Sequence, residues 1–137
     1  LKLPVIVHDR DAHEDMLAIL EEEWDPALGG VMHCFSGDIE YARKVMDLGF
    51  HISIAGPVTF PKAAALRETV KQIPIEQLLI ETDAPYLAPQ QYRGKRNEPS
   101  YVVEAAAAIA EARGLPVEAV AGATTANAIR LLGLPES

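Results

Sequence analysis

The sequence predicts an α/β fold in which parallel strands alternate with helices. Four short apolar runs, rich in Val, Ile and Leu, are each followed by a segment in which apolar residues recur at helical spacing. Strand-then-helix units in series require right-handed crossovers, and these make the strands parallel. The chain has 137 residues, of which 49% are hydrophobic, so it can form the core of one domain.

The first unit is predicted to begin with a strand over 3–8 and to continue into a helix. Asp11 and Glu14 have the spacing of a capping box, in which two side chains bond the free backbone N–H groups at a helix start. The acidic run 21–23 would lie on the solvated face of this helix.

The next two units follow the same plan. The second strand is predicted over 30–35, and Asp38 is the expected N-cap of the helix after it. Gly49 is expected just beyond the C-terminus of that helix, where a left-handed backbone favours glycine. The third strand is predicted over 50–55, with a helix near 63–71.

The fourth strand is predicted over 78–82 and is followed by a long polar loop, 84–99. Three alanine-rich helices are then predicted around 102–113, 117–121 and 125–132. No linker or low-complexity stretch indicates a second domain, so residues 1–137 are expected to form a single domain. A doubly wound sheet and half of a β/α barrel both have this order of elements, and periodicity does not separate them.

Composition limits the classes of function. The net charge of −8 argues against a broad basic surface for nucleic acid, although a bound dication and a local basic cluster could still bind phosphates. Cys34 is the single cysteine, so no intramolecular disulfide can form and a cytoplasmic location is expected. No apolar stretch approaches the roughly 20 residues that span a bilayer, so no membrane partner is expected.

Three of the apolar runs end at residues that can bind a metal: His8, His33, and the pair Glu81 and Asp83. The carboxyl ends of parallel strands open on one face of a sheet, so these side chains should converge. Glu81 and Asp83, two residues apart, are expected on the same side of the fourth strand. Two histidines and a carboxylate suit Zn²⁺ or Mn²⁺, and the implied chemistry is metal-assisted hydrolysis. The alternative for each histidine is a hydrogen-bonded side chain beside a turn.

The loop 92–99 is the only concentrated basic segment and contains Arg93, Lys95 and Arg96, three of the twelve Lys and Arg residues. Guanidinium groups bind phosphate oxygens bidentately, so the loop is interpreted as a phosphate clamp. The alternative is a solvated loop whose Asn97 and Glu98 cap the next helix.

Several segments resemble, in their usual order, the signatures of the TatD family of metal-dependent deoxyribonucleases. They are Leu3-Pro4-Val5-Ile6-Val7-His8 with Arg10-Asp11-Ala12, His33-Cys34-Phe35-Ser36-Gly37, Glu81-Thr82-Asp83-Ala84-Pro85-Tyr86-Leu87, and Arg93-Gly94-Lys95-Arg96-Asn97-Glu98-Pro99. Thr125-Ala126-Asn127-Ala128 is similar to the family's closing helix motif. The resemblance therefore extends over nearly the whole chain.

The resemblance implies a TIM-type β/α barrel, of which the chain resembles the carboxyl-terminal half, strands five to eight. It implies that His8, His33 and Asp83 bind divalent metal ions (Zn, Mn or Mg) and that Asp83 also accepts a proton. Less specifically, it places four further residues in or around a phosphate-binding rim: Glu81, Ser36, Arg93 and Arg96.

The implied reaction is hydrolysis of phosphodiester bonds in DNA, typically from the 3′ end. The sequence departs from the family because nothing in it corresponds to the first-strand His-x-His or the fourth-strand glutamate, and a barrel needs about 250 residues. The hypothesis is a fragment that pairs with the missing amino-terminal half or with a second copy of itself. The alternatives are hydrolysis of C–N or phosphotriester bonds, and a half-barrel without catalytic activity.

Overall fold

Four parallel strands form one sheet in the computed structural model, which describes residues 1–135. The strands lie side by side in chain order: β1 (Val5–His8), β2 (Gly30–His33), β3 (Phe50–Ile54) and β4 (Leu78–Ile80). A doubly wound sheet reverses its strand order at a switch point, whereas the order of these four strands does not reverse. The topology therefore favours the barrel-type arrangement of the two that the sequence left open.

Within residues 1–135, five α-helices accompany the sheet: α1 (His13–Glu23), α2 (Ile39–Asp47), α3 (Ala64–Gln72), α4 (Val102–Arg113) and α5 (Val117–Leu132). Their apolar faces and one face of the sheet form a single buried core. Its fully buried members include Met32, Phe50, Ile52 and Leu78 from the strands and Val45, Val70, Ile109 and Val120 from the helices. None of the helices within residues 1–135 is both long enough and apolar enough to cross a membrane.

The opposite face of the sheet is open at β1. Successive strand side chains point to opposite faces, and Val5 and Val7 pack against the helical core. Ile6 therefore points to the other face, where 69% of it is exposed. The parallel register pairs Ile6 with Val31 and His8 with His33, so both histidines lie at the carboxyl end of this second face.

Each strand is shorter than the sequence predicts. The strand predicted over 3–8 starts at Val5, and those predicted over 30–35, 50–55 and 78–82 end at His33, Ile54 and Ile80. The reason is clearest at β2, where the backbone becomes left-handed directly after the strand, with φ of 47° at Cys34. A left-handed residue cannot continue an extended strand.

Helix starts and ends confirm some predictions and correct others. Asp38 is the N-cap of α2 and accepts from the Tyr41 backbone N–H at 2.9 Å, as predicted. Gly49 has φ of 86° after that helix, also as predicted. The capping box at Asp11 is wrong, since this residue has φ of 56° and the N-cap of α1 is Ala12, without a side-chain cap.

The two short helices predicted over 117–121 and 125–132 are one continuous helix, α5. Gly122 lies at the expected break, with open space where a side chain would be. A glycine in a helix interior costs only about 1 kcal/mol relative to alanine. The packing of α5 offsets this, because the buried Asn127 side chain donates to the backbone oxygens of Ile75 and Leu78 at 2.7 and 2.8 Å.

Candidate metal centre

His33, the last residue of β2, lies between two carboxylates. Its Nδ1 is 2.6 Å from Oε1 of Glu81, and its Nε2 is 3.2 Å from Oδ1 of Asp83. Both carboxylates follow β4, which is separated from β2 by β3. The parallel sheet therefore brings together side chains 48 to 50 positions apart, as the sequence predicts.

The two carboxylates do not occupy the predicted arrangement on one side of a strand. β4 ends at Ile80, and the left-handed backbone of Asp83 redirects that side chain. Glu81 and Asp83 consequently face different nitrogens of the same imidazole ring. This separation gives the two residues different chemical settings, which the spacing alone does not reveal.

Glu81 is held by protein donors on both oxygens. The Cys34 backbone N–H donates to Oε1 at 2.9 Å, and the Ser53 hydroxyl donates to Oε2 at 2.6 Å. The Glu81 side chain is 19% exposed. The phosphate-binding role predicted for Glu81 is therefore without structural support, because the side chain faces into the protein.

His8 completes the set of predicted ligands at this end of the sheet. It is exposed, and its ring centroid lies 5.6 Å from that of His33. Two ligands of one tetrahedral ion, each about 2.1 Å from it, lie roughly 3.4 Å apart. The 3.2 Å between Nε2 of His33 and Oδ1 of Asp83 fits two such ligands. Within residues 1–135, however, no three His, Cys, Asp or Glu side chains are arranged to hold a metal ion by themselves.

Cys34 does not supply a nucleophile to this site. Burial, followed by the negative charges of Glu81 and Asp83, raises the pKa of the Cys34 thiol to about 11. The thiol therefore stays protonated at neutral pH, and a thiolate is the form that attacks. The arrangement does not favour a cysteine-dependent hydrolase.

The predicted phosphate-binding residues lie in separate places. The Arg93 guanidinium stacks on the Phe60 ring, 4.2 Å from its centroid. Arg96 is exposed and lines a cleft of ≈ 600 Å³ next to the Asp83 loop, with Pro85 on its wall. Ser36 is exposed in the connection between β2 and α2. Of the two predicted arginines, Arg96 is thus the more open to an anion, since Arg93 packs on an aromatic ring.

Asn97 fixes the loop that carries Asp83, a role that its sequence position does not reveal. It is 1% exposed, and its Nδ2 donates to the backbone oxygens of Thr82 and Tyr86, both at 2.6 Å. Its Oδ1 accepts from the Glu98 backbone N–H at 2.9 Å. The sequence suggests only a helix-capping role, because the partners are far from Asn97 along the chain.

Asn97→Ala should lower the free energy of unfolding by about 1–3 kcal/mol, because two buried backbone oxygens lose their donor. Urea unfolding followed by circular dichroism measures this change. Lys95→Ala is the control, because Lys95 is an exposed residue of the same loop. Equal stability of the two variants would show that Asn97 does not hold the loop.

Asp9 forms a second polar network directly beside His8. Its side chain is 4% exposed and accepts from the Tyr41 hydroxyl at 2.5 Å and from His13 Nδ1 at 2.7 Å. The ring of His13 stacks on that of Tyr41 with centroids 4.4 Å apart. Burial alone would raise the pKa of Asp9, but these hydrogen bonds outweigh it and lower the pKa below its ordinary value. Asp9 thereby ties the end of β1 to α1 and α2.

The contribution of Asp9 to stability should depend on pH. Because its pKa is lower in the folded state, the carboxylate stabilises the fold above the unfolded pKa of about 4, and this is lost as pH falls through the folded pKa. Asp9→Asn should lower the free energy of unfolding by about 1–3 kcal/mol at pH 7, and the difference should shrink towards pH 2.5. Urea unfolding at a series of pH values measures it.

The matched control for this series is Asp15→Asn, since Asp15 is exposed on α1. It should change the free energy of unfolding little at any pH. A difference between wild type and Asp9→Asn that stays constant from pH 7 to pH 2.5 would contradict the assignment.

Comparisons with known proteins agree on one family. The family model described as TatD related DNase matches residues 1–133. The chain is 53% identical over 131 residues to the uncharacterized metal-dependent hydrolase YabD of Bacillus subtilis, covering 96% of the chain and 51% of that protein. It is 42% identical over 139 residues to a Citrobacter rodentium protein named 3'-5' ssDNA/RNA exonuclease TatD, covering 98% of the chain and 53% of that protein.

Solved structures share the fold. The TatD homologue YJJV of Escherichia coli has a TM-score of 0.89 and 33% sequence identity, over 97% of this chain and 51% of its own. A TatD family hydrolase from Entamoeba histolytica has a TM-score of 0.86 at 24% identity, over 98% and 52%. The chain spans about half the length of the curated relatives that it matches.

Proposed function

The chain belongs to the family of TatD-related DNases, and from this we propose that it contributes one half of a metal site that hydrolyses phosphodiester bonds in DNA. The ligands from this chain would be His8, His33 and Asp83. The observation that supports this most strongly is the 3.2 Å between Nε2 of His33 and Oδ1 of Asp83, with His8 beside them in register. A Citrobacter relative carries the name of a 3'-5' exonuclease for single-stranded DNA and RNA.

We propose further that the chain is the carboxyl-terminal half of a TIM-type barrel. Two features support this: its length is about half that of its relatives, and the strands follow chain order in one sheet. β1 and β4 each have a single neighbouring strand, and Ile6 is exposed on the open face. A further half of the barrel, or a second copy of the chain, would cover these edges and that face.

The residues of this chain have separable tasks in the proposed reaction. A divalent cation, with Zn, Mn and Mg as the candidates, would supply positive charge to a phosphate oxygen and lower the pKa of water. Asp83 is 28% exposed, which leaves its carboxylate open to accept a proton. Arg96 would bind phosphate oxygens from the adjacent cleft. This local charge would offset the repulsion expected between DNA and a chain of net charge −8.

The test is a chimera in which residues 1–137 replace the matched segment of the Bacillus subtilis relative. A 5′-labelled single-stranded DNA with added Mn²⁺ or Mg²⁺ is the substrate. The chimera should shorten it from the 3′ end, and Asp83→Asn should lower kcat/KM about 100-fold or more, because a proton acceptor is lost. Asp47→Asn on the exposed surface of α2 should leave the rate within about twofold of the chimera.

Unchanged DNA cleavage by the Asp83→Asn chimera would contradict the assignment of that residue. Cleavage of an amide or a phosphotriester in place of DNA would favour the alternative hydrolase chemistry. Metal uptake with no cleavage of any of the three would favour a half-barrel without catalytic activity.

A further inference from the structure

We propose that Glu81 and Ser53 are positioning residues that hold His33 with its Nε2 free to bind the metal. This inference rests on the metal site proposed above and adds two residues that do not themselves bind the ion. It also assigns a role to β3, the strand whose end carries none of the predicted ligands.

The tautomer of His33 follows from its contacts. Both ring nitrogens lie against a carboxylate oxygen, and an ionised carboxylate only accepts hydrogen bonds. The contact of Nδ1 with Oε1 of Glu81, at 2.6 Å, is shorter than the 3.2 Å contact of Nε2 with Oδ1 of Asp83, so Nδ1 is the better placed to carry the hydrogen of a singly protonated ring. In that tautomer the lone pair is on Nε2, the nitrogen that a metal ion would bind. That nitrogen lies 3.2 Å from Oδ1 of Asp83, on the side where the proposed ligands meet.

Ser53 fixes the position of the Glu81 carboxylate by a hydrogen bond. It lies on β3, between the strands that carry His33 and Glu81, and is 2% exposed. Its hydroxyl donates to Oε2 of Glu81 at 2.6 Å, while the Cys34 backbone N–H donates to Oε1 at 2.9 Å. A half-buried carboxylate is costly unless it is hydrogen-bonded, and these donors offset that cost.

A carboxylate that accepts from the Nδ1–H of a metal-binding histidine has two effects on that histidine. It fixes the ring orientation and tautomer, and its negative charge makes the opposite nitrogen a stronger donor to a cation. Removing such a partner typically weakens metal binding 10- to 100-fold. A phosphate would be repelled by the same charge, so Glu81 suits the metal side of the site and not the phosphate side.

The tautomer is tested without metal, by long-range ¹H–¹⁵N spectra of the metal-free chain labelled at histidine nitrogens, at pH 8. Wild type should show His33 protonated on Nδ1. Glu81→Ala should give a mixture of tautomers or the Nε2–H form, whereas Glu81→Gln should retain the wild-type tautomer, since its amide oxygen can still accept. The same tautomer in wild type and Glu81→Ala, or Nε2–H in wild type, would overturn the proposal.

Metal affinity is the second readout, from calorimetric titration of Mn²⁺ into the chimera described above, in which the other half of the proposed site is present. Glu81→Ala should weaken Mn²⁺ binding about 10- to 100-fold. Glu81→Gln should weaken it less, because only the charge is lost, and Ser53→Ala should have the smallest effect of the three. Glu22→Gln, an exposed change on α1, should match wild type. Urea unfolding of each metal-free variant separates this effect from a loss of folding.

His33→Ala distinguishes the two proposals. If it abolishes Mn²⁺ binding while Glu81→Ala binds as wild type does, the metal site stands and the positioning role is wrong. If the His33→Ala chimera binds Mn²⁺ as the unsubstituted chimera does, or if the unsubstituted chimera does not bind it, the metal site itself is wrong. The positioning role then falls as well, because it rests on that site, whereas the Glu81→Ala result alone overturns only the positioning role.

Discussion

The contact between His33 Nδ1 and Glu81 joins the ends of β2 and β4 across the intervening strand, and the rest of the site depends on it. Ser53 on β3 bonds the same carboxylate, so three adjacent strands share one polar connection. This connection fixes the direction of the His33 ring and hence the place where its second nitrogen meets Asp83. The parallel register then places His8 alongside.

Much of the fold follows from the sequence because apolar periodicity and local capping are short-range signals. The four strands, their order along the chain and the capping of α2 by Asp38 are of this kind. The exact strand ends are not, since the end of β2, for example, depends on the left-handed backbone of Cys34. The continuity of α5 through Gly122 depends on long-range hydrogen bonds of Asn127, which no local pattern contains.

The sequence predicted which candidate ligands come together, but not the contacts that hold the residues around them. Because the carboxyl ends of parallel strands share one edge of the sheet, His8, His33 and Asp83 are expected to lie close together, and the structure places them at that edge. The positions of Glu81 and Asn97 depend on partners 11 to 48 residues away, so spacing could not predict them. The stacking of Arg93 on Phe60 is likewise a contact between residues distant in sequence. It leaves Arg96 as the more open of the two arginines.

The central claim is that one divalent cation binds between His33 and Asp83. Anomalous diffraction from crystals of the chimera soaked in Mn²⁺, recorded near the manganese absorption edge, tests it directly. The account predicts a peak within about 2.5 Å of both Nε2 of His33 and Oδ1 of Asp83, with Glu81 still bonded to Nδ1. A peak coordinated by Nδ1 of His33, or no peak at this edge of the sheet, would contradict it.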